Sequence, residues 1–285
     1  MPWSYVTVER LQDTLKMEAS RRVVTDDDAT VDALLKLAVG VSASIDRHCS
    51  RTFRVYQATQ RFTPEFEDLL YIPDLITLTS LKTDYDLDNT PELVWTTADY
   101  YLEPSNAPVM GRPYTRVKVR PNVLGFTQYF NTEWPEYVEI VGKWGYSEDL
   151  QDSGISLGAD CTDAETTLTV DKPGDIRRGS TYLVGSEQLF VTQRDLTANT
   201  IRVRRAQNGT TAAAHSNGDA LSVYSPPEAV EVAALMQAVR AYRRTEAPLG
   251  VVNTPGDIGW RAIYIPKFDA DVAQLLRDYR KQAMF

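Results

Sequence analysis

PPEAVEVAALMQAVRAYRRTEA (226–247) is the stretch on which the fold turns. A double proline opens it, and Pro227 suits the first turn of a helix, where the missing N–H has no intrahelical acceptor to lose. Val230, Ala233, Ala234, Ala238 and Ala241 then recur at helical spacing and give a small-residue face suited to close packing. Arg240, Arg243 and Arg244 cluster where the carbonyl end of the dipole welcomes positive charge. Beyond it lie a Gly/Pro-rich connector, PLGVVNTPGDIGW (248–260), and a last amphipathic stretch. That stretch reads as a helix over 269–282, with Val272, Leu275, Leu276 and Tyr279 on one side. Helix, arm and helix without a catalytic cluster describe a segment made to dock.

The partner of this helical end is the beginning of the chain. Residues 7–17 read as a short helix capped by Thr7, with Val8, Leu11 and Leu15 on one face. After a polar connector ending in Thr25-Asp26-Asp27-Asp28, a longer helix is expected over 29–49. Its stripe is Val31, Leu34, Leu35, Ala38, Val41, Ser42 and Ile45, and the preceding acids sit at the positive end of its dipole.

Between the helical ends the pattern is β. Runs at 53–62, 75–83, 99–103, 114–120 and 136–144 are rich in Thr, Val, Ile and Tyr and are broken by Pro, Asn and Asp. SEDLQDSGISL (147–157) reads as a linker. A second β block follows over 158–224, with strands expected at 166–171, 181–193, 200–205 and 219–224, and with turns at Gly185, Asn208-Gly209 and Asn217-Gly218. The expected class is α+β. Residues 1–147 and 226–285 form a body: a small helical bundle from both chain ends with an antiparallel β region at 53–146. Residues 158–224 form an inserted small β-barrel or sandwich, tolerated because it enters at a surface loop.

The chain has 285 residues, 43% apolar and 24% charged, as in ordinary globular domains. The net charge of −9 argues against a nucleic-acid binder, which needs a basic footprint. No run approaches the roughly 20 apolar residues of a membrane span, so no membrane partner is expected. The N-terminus, MPWSYVTVERLQDTLK, has no apolar signal core. Cys49 and Cys161 lie in separate segments and read as small buried residues in a reducing compartment.

Candidate chemistry is sparse. Asp84-x-Asp86-x-Asp88 suggests a calcium loop, but Asn89 and Trp95 stand where an EF-hand needs Gly and Glu, so an exposed turn is the better reading. His48 is followed directly by Cys49, and helical neighbours cannot face each other as a catalytic pair. No GxSxG, HExxH, CxxC or P-loop pattern occurs. No enzyme activity, metal or cofactor is therefore expected. Trp260, Ile263, Tyr264, Ile265 and Phe268 form an arm of large apolar residues between Gly and Pro positions, suited to β-addition to a partner, to burial in one, or to folding back onto the chain's own helices.

Two parts of the chain resemble a known family. VTVERLQDTLKM with DDATVDALLKLAVGVSASIDRHCSRTF and the strand YVEIVGKWGY (137–146) carry one half. PPEAVEVAALMQAVRAYRRTEAPLGVV (226–252) and FDADVAQLLRDYRK (268–281) carry the other. In this order they resemble the head–tail connector, or adaptor, proteins of tailed bacteriophages. RRAQNGTTAAAH (204–215) marks a small β module similar to one that recurs in phage structural proteins. The resemblance implies a virion protein of the neck, made in the host cytoplasm. It implies a homo-oligomeric ring, usually of twelve copies, beneath the portal protein. Such a ring extends the channel through which DNA passes without specific binding, and it presents a surface to the next neck or tail protein, a stopper or tail terminator. The arm and last helix, with Trp260, Ile263, Tyr264, Ile265, Phe268, Leu275, Leu276 and Tyr279, would contact the portal or a neighbouring copy. A competing reading is a tail or baseplate component whose β module binds a host surface or another tail protein.

Overall fold

The computed structural model describes residues 2–17, 26–121, 127–246 and 268–281. Helix α1 (Val8–Met17) begins at Thr7, whose Oγ1 accepts the Arg10 N–H at 3.2 Å. Helix α2 (Asp28–Cys49) is capped by Asp27, which accepts from the Thr30 N–H at 3.0 Å. It stops where Ser50 turns left-handed. All seven residues of its expected stripe are buried.

The first sheet contains β1 (Tyr56–Phe62), β2 (Leu69–Thr83), β3 (Leu93–Trp95), β4 (Tyr100–Glu103), β5 (Tyr114–Val119) and β6 (Val138–Trp144). Its order is β1-β6-β2-β5-β4, with β3 on β2, and every pairing is antiparallel. Strand β2 starts six residues before the run at 75–83 that the alternation indicates. Pro73 looks like a terminator, but the β2–β5 register shifts between Tyr71 and Leu75, and that irregularity accommodates it.

The second sheet contains β7 (Leu150–Ser156), β8 (Thr167–Thr169), β9 (Thr181–Val184), β10 (Glu187–Asp195), β11 (Thr200–Arg204) and β12 (Ala220–Tyr224), in the order β7-β12-β9-β10-β11-β8. Two expectations are corrected here. The stretch read as a linker at 147–157 contains β7, an edge strand that pairs with β12 and buries only Ile155, so its polar sequence hides it. Nor is the block a barrel. The sheet is open, and its outer strands meet through one isolated bridge, Leu157↔Val170. The single run 181–193 is a hairpin that turns at Gly185, where φ is +57°.

Helix α3 (Glu228–Glu246) packs on α1 and α2 and carries α4 (Ala270–Leu275). The final helix is thus far shorter than 269–282. Beyond Leu276 a 3₁₀ turn (Arg277–Tyr279) redirects the chain so that the Lys281 N–H bonds Cys49 O at 2.8 Å, satisfying a carbonyl at the end of α2. Leu11, Leu34, Ile45, Ala234, Val272 and Leu276 share one core, which also takes Phe190 from β10.

Beyond Phe190, the second sheet is fastened to the body at two places among the described residues. Arg178, only 2% exposed, bonds Glu9 of α1 through Nε at 2.7 Å and reaches Gln12 and Asp26 through Nη2, while its carbonyl accepts the Val8 N–H. At the other place the Asn208-Gly209 turn lies against β1. A Cβ on Gly209 would sit 1.9 Å from the Gln57 carbonyl oxygen, so only glycine permits that approach.

Candidate interaction surfaces

The C-terminal segment shows how much of the expected docking device is available. Trp260, Ile263, Tyr264 and Ile265 lie outside the described residues. Phe268 packs against His48 with ring centroids 4.6 Å apart and the rings tilted by 36°. Leu276 is fully buried in the helical core, and Tyr279 packs edge-on against Phe53 and Tyr146 at 5.6 and 5.3 Å. Leu275 points outward, 36% exposed. Arg240 of α3 holds the segment through Asp271 (2.7 Å) and Asp269 (3.0 Å). The described part of the last helix is therefore built into its own protomer.

Where that segment ends, the buried Asp74 carboxylate faces Arg51 and Lys281 at 3.5 Å each. Burial pushes its carboxyl up, and the two cations oppose the shift. Nearby, Tyr5 Oη donates to Asp46 at 2.6 Å and accepts the Phe53 N–H, tying the N-terminal segment to the end of α2. Burial raises Asp46 to about 6, against the bonds from Tyr5 and Thr52.

RRAQNGTTAAAH has a structural explanation. Glu187 is completely buried, and this segment supplies its partners. Arg205 binds both carboxylate oxygens (3.0 and 2.6 Å), the Ala206 and Ala213 N–H groups donate, and His215 Nε2 lies 2.9 Å away. Burial alone would raise the carboxyl; these bonds outweigh it and hold Glu187 down to about 2. His215 and Cys161 face each other across an antiparallel bridge, both 8% exposed. This Cys, His and Glu constellation is a sealed internal lock. Sequence reasoning found the motif but not Glu187, whose partners lie 18 to 28 residues away.

Asp84, Asp86, Asp88 and Glu92 place carboxylate oxygens within 4.8 Å of one another. Asp84 is spent on the loop itself, accepting the Leu87 and Asn89 N–H groups at 2.7 Å each. The turn reading of this stretch fits that use. Leu87 and Asn89 are both left-handed (φ 66° and 70°), so the loop has a fixed shape that displays Tyr85 at 76% exposure.

A groove of about 810 Å³ runs beside β2, β4 and β5. Leu78, Tyr101, Tyr114 and Tyr146 give it an aromatic and apolar floor, and Arg112 and Arg120 line it. The Arg120 guanidinium lies over the Tyr101 ring at 4.1 Å. The strand pairings leave room for this groove: on the edge of β2 facing away from β6, β5 pairs as far as Leu75 and β3 begins at Leu81.

Neither a family model nor a curated protein matches this chain. Among solved structures it is similar to a chain in the "Neck of empty GTA particle computed with C6 symmetry", at 13% identity and TM-score 0.43, covering 99% of this chain and 92% of that one. It is also similar to a chain in the "Neck of native GTA particle computed with C12 symmetry", at 13% identity and TM-score 0.38, covering 100% and 97%. No helix among the described residues is long and apolar enough to cross a membrane.

Proposed function

We propose that this chain is a non-enzymatic structural protein of the head–tail junction of a tailed phage or phage-like particle. In this reading copies assemble as a ring, twelve in number, beneath the portal, extend the DNA channel and present a surface to the next neck or tail protein. The observation that carries the reading is the shared helical core. Leu11 and Leu34 from one end of the chain pack with Ala234, Val272 and Leu276 from the other, enclosing the two halves that carry the connector resemblance. A net charge of −9 per copy accords with a conduit that does not grip phosphates. Residues 158–224 are, in this reading, a phage β module inserted into the connector body.

The portal contact is assigned to the arm bearing Trp260, Ile263, Tyr264 and Ile265, flanked by Phe268 and Leu275. Leu276 and Tyr279 anchor its return to the body. Electron microscopy of purified protein, together with reconstruction of the particle neck, tests the proposal. Rings, and density for the chain next to the portal, are expected. A strict monomer with no density at that junction overturns the reading. Replacing the four arm residues by serine is expected to abolish portal binding with the unfolding temperature unchanged; binding at the wild-type level would refute the arm assignment.

A further inference from the structure

The acidic loop after β2 and the groove beside β2 are complementary, and among the described residues neither is covered by another element. The loop is preorganised. Asp84, 1% exposed, pins the Leu87 and Asn89 amides, Glu92 accepts the Tyr85 N–H at 2.9 Å, and Arg61 donates to Asn89 O at 3.1 Å. Tyr85 and Leu87 stand out from it at 76% and 36% exposure, beside the exposed acids Asp86 and Asp88. An ordered loop that shows aromatic and apolar side chains among acids loses little entropy on binding.

The groove offers the opposite surface. Tyr101 is 44% exposed, Arg112 is exposed, and Arg120 lies over Tyr101 with a buried Nε that finds no hydrogen-bond acceptor among the described residues. Its one lining acid, Glu148, is already paired with Lys143 at 2.9 Å. The groove is therefore aromatic and net basic, and it matches an acidic occupant carrying Tyr and Leu.

The loop cannot serve its own groove. From Leu78 in the groove to Asp84 the chain advances about 20 Å along a strand, and the loop's hydrogen bonds fix it at the far end. We propose that Tyr85–Asp88 of one copy seats in the groove of a second copy, with Tyr85 and Leu87 on its tyrosine floor and Asp86 and Asp88 facing Arg112 and Arg120. Made head-to-tail, this contact is heterologous and repeats from copy to copy, as closing a ring requires. The assignment deepens the ring reading and rests on it.

The test is cross-linking between two variants of the full chain that each add one cysteine, Leu87→Cys and Tyr101→Cys, mixed with a short bismaleimide. The native Cys49 and Cys161 are buried. A Leu87–Tyr101 adduct between two chains is expected, well above that of Leu87→Cys mixed with the control Leu196→Cys, a residue 57% exposed on the second sheet. Adding Asp86→Lys and Asp88→Lys to the first variant should cut the yield about ten-fold or more, because like charges then face each other. No adduct, an adduct no stronger than the control, or indifference to charge reversal overturns the contact. Rings seen by microscopy without the adduct refute this contact and leave the ring reading standing. The adduct in two-copy species that never form rings supports the contact and sinks the ring reading.

Discussion

Glu187 is a buried carboxyl and Asp46 a half-buried one, their chemistry is opposite, and each predicts a different pH dependence. Glu187 is ringed by donors, so its folded form prefers the charge. Its contribution is present above the unfolded value near 4.5 and is lost as pH falls towards about 2. Glu187→Ala strands Arg205, whose side chain is 6% exposed, and should cost about 3–5 kcal/mol in urea unfolding at pH 7. Asp46 has been raised from 3.8 to about 6, so folding favours its neutral form. Its stabilising share is complete below 3.8 and disappears as pH rises through 6. Asp46→Asn should therefore be more stable than the wild type at pH 8, by about 1–3 kcal/mol, and the difference should vanish near pH 4. Unfolding midpoints measured from pH 4 to 8 check both the sign and the window. An equal offset at every pH would contradict the burial argument. The sequence flags neither residue, because burial depth and the arrival of distant donors leave no local pattern.

The elements differ in how plainly their residues announce them. Helix α2 is fully legible: every expected stripe residue is buried, because a 3.6-residue period needs no tertiary information. Strand β7 is not legible, because an edge strand facing solvent carries polar residues and looks like a linker. The last helix is misread for another reason. Leu275, Leu276 and Tyr279 keep the apolar spacing of a helix, but the chain leaves the helical path after Leu276 so that Lys281 can reach Cys49 O and Ile72 O. That placement makes Leu276 a core residue. Leu276→Ala should destabilise the protein by about 2–5 kcal/mol, whereas Leu275→Ala, on the exposed side, should stay within about 0.5 kcal/mol. Thermal unfolding of the two variants compares them directly. Equal, negligible effects would mean that the segment is not built into the body.

At the scale of the molecule the second sheet is not a free appendage. Phe190 sits in the helical core, Arg178 is enclosed by Glu9, Gln12 and Asp26, and Gly209 touches the backbone of β1. Calorimetry should accordingly show one cooperative unfolding transition with coincident van't Hoff and measured enthalpies. A separate second transition would show that the sheet of β7–β12 unfolds as its own unit. The sequence by itself determined the mixed α and β class and the helices expected at 7–17, 29–49 and 228–245, which stand at Val8–Met17, Asp28–Cys49 and Glu228–Glu246. Those features rest on periodicity and capping, which act within a few residues. Only the tertiary structure decided that the second sheet is open, that the last helix stops at Leu275, that Glu187 is the centre of the RRAQNGTTAAAH lock, and that an acidic loop and a basic groove lie at separate places along β2. Each of these depends on groups far apart in sequence meeting in space, and no local pattern encodes such a meeting.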